Sequence, residues 1–160
     1  MLPSEMVGKI SFYSQAANSL TDDDVRISKR LYIPYKKLRG FQRGKVGPKD
    51  DNSFVGGNYV SSLNMSTTLP QILPSLQNTD FAFFIDMANV WGVDYNSSLD
   101  DKSTLRSSTG LSIDLLTALG PLNFSFSETL SKASSDKTES FRFNIGTSFW
   151  WSILEKRLIF

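Results

Sequence analysis

The sequence predicts an all-β fold, an antiparallel meander of about six strands. Apolar and polar residues alternate in six segments, and a period of two puts successive side chains on opposite faces of a strand. Polar connections that alternate between long and short separate these segments. No apolar run approaches the roughly 18 residues that a membrane-spanning helix needs. Together these observations indicate a sheet whose strands each have one apolar and one polar face.

The alternation defines the predicted strands in order, at residues 6–16, 59–69, 81–90, 105–115, 122–127 and 141–149. Strand by strand, the apolar faces consist of Met6, Ile10 and Phe12; Tyr59, Leu63, Met65 and Leu69; Phe81, Phe83, Ile85 and Met87; Leu105, Leu111, Ile113 and Leu115; Leu122, Phe124 and Phe126; Phe141, Phe143, Ile145 and Phe149. The third strand places Asp86 on its polar face. The last strand alternates most regularly.

Strands of this kind fit either the wall of a transmembrane barrel or half of a water-soluble β-sandwich or lipocalin-like barrel. The connections favour the membrane barrel, because outer-membrane barrels have long loops on one side and short turns on the other. Here a loop of more than thirty residues follows the first strand, whereas TALGP joins the fourth strand to the fifth. Aromatic residues near strand ends agree with interfacial girdles, although soluble proteins have them too.

The composition narrows the possible functions. Lys and Arg number 17 against 16 Asp and Glu, so the charge predicts no nucleic-acid partner. The chain has no cysteine and no histidine, which removes disulfides, thiolate metal sites and the commonest general base. Ser107 and Ser108 therefore have no histidine to activate them. We expect no enzyme, no metal site and no cofactor.

Four stretches, in this order, carry a resemblance to the BamA family of outer-membrane assembly barrels. They are LRGFQRGKVGPKD with the GGN that follows it, FAFFIDMANVWG, LRSSTGLSIDLLTALGPLNFSFSE and KTESFRFNIGTSF, and they extend over about residues 7–149. The resemblance implies a sixteen-stranded transmembrane β-barrel in the bacterial outer membrane, preceded by periplasmic POTRA domains. This chain would supply the last six strands and a long loop folded into the barrel.

The resemblance assigns residues 1–149 to the carboxy-terminal part of the barrel, with the loop that holds the Arg-Gly-Phe motif at residues 38–58. Six strands are too few to close a bacterial barrel, and residues 1–9 lack the features of a secretory signal. We therefore expect a fragment of a longer protein, without its POTRA domains. Residues 150–160 fall outside the resemblance and are interpreted as an atypical tail, either a short interfacial helix or a sequencing or frame artefact.

The resemblance also implies a clamp between the loop and the barrel wall. In the family the arginine of the loop motif pairs with acidic residues on the inner wall, and Arg39 and Asp86 stand at matching positions. Gly40 would allow a tight backbone turn, and Phe41 would pack inside. The second acidic partner is replaced by Asn64, which can accept a hydrogen bond but has no charge. Asp86 is therefore expected to hold Arg39 alone, and the alternative is a solvated loop arginine.

The last predicted strand resembles the signal by which outer-membrane proteins are recognised for assembly. Phe141, Phe143, Ile145 and Phe149 form its alternating pattern with an aromatic end. In the family this strand closes the barrel against the first strand, and the seam between them opens sideways to template incoming strands. Gly146 matches a glycine that the family uses at the seam, and glycine weakens a strand enough to permit a kink. The alternative is an ordinary lipid-facing strand.

The implied function is the folding and insertion of β-barrel proteins into the outer membrane by strand templating. The expected partners are outer-membrane lipids, nascent outer-membrane proteins and, through POTRA domains, the lipoproteins of the assembly machinery. Two other interpretations stay open. One is a TamA-like factor or a two-partner secretion transporter of the same superfamily; the other, more distant, is a small stand-alone β-barrel or sandwich that serves as a binding module.

Overall fold

The computed structural model describes residues 6–20, 23–69, 78–99, 104–117 and 120–146 of the chain. Its strands, numbered in chain order, are β1 (Gly8–Ala16), β2 (Lys49–Asp50), β3 (Ser53–Phe54), β4 (Tyr59–Thr68), β5 (Thr79–Trp91), β6 (Arg106–Thr117), β7 (Gly120–Ser131) and β8 (Phe141–Ile145). Two short 3₁₀ turns cover Ile27–Lys29 and Ser97–Leu99. No helix within these ranges is long and apolar enough to cross a membrane.

Six of the strands form one antiparallel sheet in the order β1-β4-β5-β6-β7-β8. The other two, β2 and β3, form a small hairpin inside the connection between β1 and β4. Within the sheet each strand pairs antiparallel with the next sheet strand along the chain, so no crossover connection is needed. The predicted all-β meander of six strands is confirmed.

Some strands extend beyond the segments in which apolar and polar residues alternate. β7 runs over Gly120–Ser131, whereas the alternation covers residues 122–127. Its backbone pairs with β6 from Gly120 to Ser131, with one register irregularity between Ser107 and Ser108 of β6. Backbone hydrogen bonds form whatever side chains a strand end carries, so the hydrophobic pattern alone understates strand length. Residues 147–149 of the last predicted strand, and the predicted tail at 150–160, lie outside the described residues.

One face of the sheet carries exposed apolar side chains, here called the outer face. Its large exposed members include Ile10, Phe12, Phe83, Leu111, Phe126, Phe141, Phe143 and Ile145. They come from five of the six strands of the sheet. A continuous apolar surface of this extent is unfavourable in water and is the surface that a membrane barrel presents to lipid. The outer face is therefore the lipid-facing side.

The opposite, inner face is covered by the connection between β1 and β4, here called the inner loop, of which residues 17–20 and 23–58 are described. Apolar side chains of the loop pack against apolar side chains of the sheet and form the hydrophobic core: Ile33, Leu38, Phe41 and Val46 from the loop, with Val60, Ala88 and Val90 from β4 and β5. None of them is more than 8% exposed. Their burial holds the loop against the inner face.

Candidate functional site

Arg39 of the inner loop and Asp86 in the middle of β5 form a two-pronged ion pair. The Arg39 Nε lies 2.7 Å from Asp86 Oδ2, and the Arg39 Nη2 lies 2.8 Å from Asp86 Oδ1. The backbone N–H of Arg39 donates to the same carboxylate at 3.1 Å. The Asp86 side chain is fully buried, with 0% exposed. A carboxylate at such depth needs charged and hydrogen-bonding partners, because desolvation of an unpaired charge is costly.

Asn64 stands directly opposite Asp86 in the sheet, on β4. Its Nδ2 donates to Asp86 Oδ1 at 2.9 Å and to the Lys37 carbonyl oxygen at 2.8 Å. Asn64 thus donates to Asp86, whereas the sequence suggested it as an acceptor. The two acceptors fix the orientation of the amide, because turning it would bring its oxygen against two other oxygens. The carboxylate is therefore held by a guanidinium, an amide and a backbone N–H.

Phe84 and Ser108 give Arg39 two further contacts beside its carboxylate partner Asp86. The guanidinium Cζ lies 3.5 Å from the centroid of the Phe84 ring, which is a cation–π distance. The Ser108 hydroxyl donates to the Arg39 carbonyl oxygen. Both residues share the inner face with Asp86, because Phe84 lies two positions earlier in β5 and Ser108 lies opposite Asp86 in β6.

Gly40 lies where the inner loop touches the sheet. Its φ is +85°, and a Cβ at this position would lie 3.1 Å from the Ser127 Cβ and 3.2 Å from the Ser108 Cβ. Only glycine combines that backbone conformation with so close an approach. The next residue, Phe41, is 2% exposed and belongs to the core. The structure thus brings together on the inner face the clamp residues that the sequence proposed: Arg39, Gly40, Phe41, Asn64 and Asp86.

A second buried ion pair, which the sequence did not indicate, joins β6 to the connection between β7 and β8. Arg106 Nε donates to Asp136 Oδ2 at 2.9 Å, and Arg106 Nη1 donates to Asn89 Oδ1 at 2.8 Å. Asp136 also accepts from the backbone N–H groups of Gly47, at 3.1 Å, and Ala133, at 2.7 Å. Gly47 belongs to the inner loop, so this carboxylate ties the loop to the wall. Arg106 is fully buried on the inner face of the sheet, and no sequence pattern marked its partner.

A third ion pair fastens the inner loop just beyond the end of β5, outside the strands. The Arg30 guanidinium contacts the Asp94 carboxylate, which also accepts from the Val25 backbone N–H at 2.7 Å and from the Asn58 amide at 3.0 Å. Burial raises the pKa of Asp94, but the hydrogen bonds from Val25 and Asn58 and the charge of Arg30 outweigh it and lower the pKa from 3.8 to about 2. The carboxylate is therefore charged at neutral pH.

β8 lies at one end of the sheet and pairs with β7 along one edge. No strand in the described ranges pairs with its other edge. Phe141, Phe143 and Ile145 project from the outer face and are 51%, 45% and 59% exposed. Phe149, the fourth residue of the predicted signal, lies outside the described residues.

Two aromatic pairs on the outer face join β8 to β7. The ring centroids of Phe124 and Phe143 are 4.9 Å apart, and those of Phe126 and Phe141 are 5.1 Å apart. Both pairs link residues that face each other across the two strands. Cross-strand aromatic pairs of this kind stabilise strand pairing beyond the area that they bury.

Gly146 follows directly after β8 and packs against the start of β7. Its N–H donates to the Pro121 carbonyl oxygen at 2.8 Å. A Cβ at this position would lie 2.8 Å from Pro121 Cγ, so the close approach requires glycine. The structure therefore gives Gly146 a packing role.

These features define a class of protein. The outer face of the sheet is apolar, and the inner face buries polar and charged side chains such as Asp86, Arg106, Ser108 and Ser125. Buried charges and an apolar core fasten a long loop to that inner face. A sheet of this kind is a section of the wall of a transmembrane β-barrel with a loop inside its lumen.

Comparison with known proteins gives the family. Residues 5–149 match the Omp85 superfamily domain. The chain therefore belongs to the Omp85 superfamily. Its predicted location in the bacterial outer membrane is confirmed.

Several relatives are similar to this chain. The outer membrane protein assembly factor BamA of Neorickettsia risticii is 27% identical over 128 residues, which are 78% of this chain and 17% of that protein. BamA of Neisseria meningitidis serogroup B is 28% identical over 70% of this chain and 17% of its own length. The crystal structure of Haemophilus ducreyi BamA lacking POTRA domains 1–3 has the same fold, with a TM-score of 0.70 and 21% identity over 86% of this chain and 34% of that one. The resemblance to the BamA family is confirmed, and the chain spans 17% of the length of these curated relatives.

Proposed function

We propose that the chain forms the carboxy-terminal part of an outer-membrane assembly barrel, which folds and inserts β-barrel proteins into the outer membrane through a lateral seam at its last strand. The relatives at 27% and 28% identity are named outer membrane protein assembly factors, which supports this proposal. The structural observation that carries it is the place of β8 as the last strand of the sheet, where it pairs with β7 along one edge.

An uncovered strand edge acts as a template. When the seam opens, the backbone N–H and C=O groups of the β8 edge lose their partners, and each unsatisfied group is strongly unfavourable in lipid. An incoming strand satisfies these groups by pairing along β8, which is strand addition. Because backbone pairing alone drives this step, the mechanism requires no catalytic side chain and no cofactor, and the chain is not an enzyme under this proposal.

The residues of the last strand hold β8 in the wall while its free edge exchanges partners. Phe141 and Phe143 pack against aromatic rings of β7, and Ile145 faces lipid beside them. Gly146 keeps the end of the strand close to Pro121. Phe149 completes the recognition pattern under this proposal.

The clamp residues keep the inner loop against the wall during opening of the seam. The Arg39–Asp86 pair crosses from the loop to the middle of β5, three strands away from β8 in the sheet. A fixed loop would preserve the shape of the lumen while the lateral edge moves. The bonds from Asn64 and Ser108 strengthen this attachment.

Three kinds of partner follow from the proposal. The apolar outer face contacts outer-membrane lipids. Nascent outer-membrane proteins pair with the edge of β8. The lipoproteins of the assembly machinery bind the full-length protein through POTRA domains.

A reversible disulfide across the seam tests the function. One cysteine is placed in β8 and one in the first strand of the full-length barrel; the present chain contributes no cysteine of its own. In cells that depend on this protein, oxidation should stop the assembly of other outer-membrane proteins, and reduction should restore it. The two single-cysteine variants are the controls.

Normal assembly in the oxidised state would contradict the seam mechanism. A two-partner secretion transporter would instead lose export of its own partner while other outer-membrane proteins assemble normally. A TamA-like factor would affect a subset of them. The pattern of affected substrates therefore distinguishes the members of the superfamily.

A further inference from the structure

Arg142, on the inner side of β8, reaches away from its own sheet neighbours into the inner loop. Its Nη1 donates to the Tyr35 carbonyl oxygen, and its Nη2 donates to the Phe41 carbonyl oxygen at 2.5 Å. Its Nε donates to the Glu139 carboxylate at 2.5 Å. The side chain is 10% exposed, so all three guanidinium nitrogens are engaged in a largely buried place. Planar guanidinium groups suit such simultaneous bonds, and lysine or glutamine cannot make them all.

The segment before β8 also pairs with the inner loop through its backbone. Gln42 N–H donates to the Lys137 carbonyl oxygen at 2.9 Å, and Lys137 N–H donates to the Lys45 carbonyl oxygen at 3.0 Å. Glu139 N–H donates to the Gly40 carbonyl oxygen at 3.0 Å. One hydrogen-bonded unit therefore contains both the loop turn that carries the clamp and the segment that precedes the last strand.

Within that unit Arg142 has a special position because it belongs to β8 itself. The backbone bonds of residues 137–139 stop short of the strand. Asn144, two residues further along on the same face, lies 3.4 Å from Asn123 of β7 through its side chain. Arg142 thus connects the strand to the residue directly after the Arg39–Gly40 turn, since Phe41 is one of its acceptors.

We propose that Arg142 is a positioning residue that couples docking of the inner loop to the position of the last strand. When Arg39 is seated on Asp86, the Tyr35 and Phe41 carbonyl oxygens lie where Arg142 binds them, and β8 is held in the wall. When the loop loosens, Arg142 loses its acceptors and β8 loses an attachment on its inner side. This coupling extends the proposed function. Its consequence, that docking of the inner loop controls opening of the seam, rests on that proposed function.

Hydrogen exchange measured by mass spectrometry on the full-length protein in lipid nanodiscs tests the coupling. Two peptides are followed, one covering residues 36–45 of the loop and one covering residues 141–146 of the last strand. The variants are Arg39→Gln, Arg142→Gln and their combination. Asn144→Ala is the matched control, because it alters the same strand and the same face.

Arg142→Gln should speed exchange in both peptides by about tenfold, the effect of losing a hydrogen bond with a charged donor. Arg39→Gln should speed exchange in the loop peptide and also in the strand peptide. In the Arg142→Gln background, Arg39→Gln should add nothing further at the strand. Asn144→Ala should leave the loop peptide unchanged.

Two outcomes would overturn the inference. The first is that Arg39→Gln speeds hydrogen exchange in the loop peptide but not in the strand peptide. The second is that Arg39→Gln still speeds exchange in the strand peptide when Arg142 has already been replaced by glutamine. If Arg142→Gln does not fold, Arg142→Lys takes its place. In that background too, Arg39→Gln should no longer affect the strand peptide, because lysine keeps the charge but lacks the planar guanidinium that binds several acceptors at once. Exchange needs a folded barrel and no assembly activity, so failure here is distinguishable from failure of the disulfide test above.

Discussion

Arg106 and Asp136 lie 2.9 Å apart with both side chains fully buried, and they connect β6 to the connection that leads into the last strand. The same carboxylate accepts the backbone N–H of Gly47 from the inner loop. One ion pair therefore joins three parts of the chain that are distant in sequence. This arrangement makes it a sensitive point of the fold, because removing either partner leaves a buried charge.

Replacement of Arg106 by methionine should strongly destabilise the barrel. We expect the free energy of unfolding to fall by about 3 to 5 kcal/mol, because Asp136 would stay buried without its charged partner. The loss is measured by the denaturant midpoint of the full-length protein in lipid. Asp114→Asn is the control, since it removes the charge of an exposed acidic residue on the same strand but keeps an oxygen that can accept from Asn123, and it should change stability by about 0.5 kcal/mol or less. Equal effects of the two variants would contradict the importance of the pair.

The Arg39–Asp86 pair should behave as one unit. Arg39→Ala and Asp86→Ala in the full-length protein should each weaken assembly and stability, and the double variant should be little worse than either single variant. The loss for Arg39→Ala should be about 3 to 5 kcal/mol, because the fully buried Asp86 is left without its charged partner. A double-mutant cycle on unfolding midpoints measures the coupling. Losses that simply add would show that the two side chains act independently.

Alanine substitutions at Gly40 and Gly44 distinguish the stability cost of backbone strain from the cost of crowding. Both have positive φ, at +85° and +66°, but a Cβ at Gly40 meets the wall while a Cβ at Gly44 meets nothing within 4 Å. Gly44→Ala should therefore cost about 1 to 2 kcal/mol of stability through strain alone. Gly40→Ala should cost a further amount of about 1 to 3 kcal/mol through overpacking against Ser108 and Ser127. Thermal unfolding of the two variants in parallel makes the comparison, and similar losses would argue against close packing at Gly40.

The Asp94 cluster should make the inner loop sensitive to acid. The folded pKa of Asp94 is about 2, below the ordinary value of 3.8, so the unfolded chain binds its proton more readily. The stabilisation is therefore complete above pH 3.8 and is lost as the pH falls from there through 2. The difference in melting temperature between the natural protein and Asp94→Asn should be constant at higher pH and should shrink across this window. A difference that grows toward low pH would reverse the assigned sign.

The sequence predicted the meander and the faces of its strands because alternation is a local property. Asp86 lies on the inner face as its position in the alternation required, and Phe141 and Phe143 lie on the outer face for the same reason. Strand ends were less predictable, because backbone pairing in β7 continues beyond the apolar alternation. Motifs in the loop and in the third to sixth predicted strands indicated the family before any contact was visible.

The tertiary structure decided the contacts between distant segments. The path of the connection after β7 determines that Asp136, thirty residues away, becomes the partner of Arg106. The donor role of Asn64 depends on the Lys37 carbonyl oxygen, which only the folded loop brings near. Arg142 contacts Tyr35 and Phe41 across more than a hundred residues. The sequence by itself thus determined which residues face lipid and which face the lumen, since strand geometry requires only neighbours in the chain. The tertiary structure alone decided which inner residues bind one another, because that depends on how the loop packs on the wall.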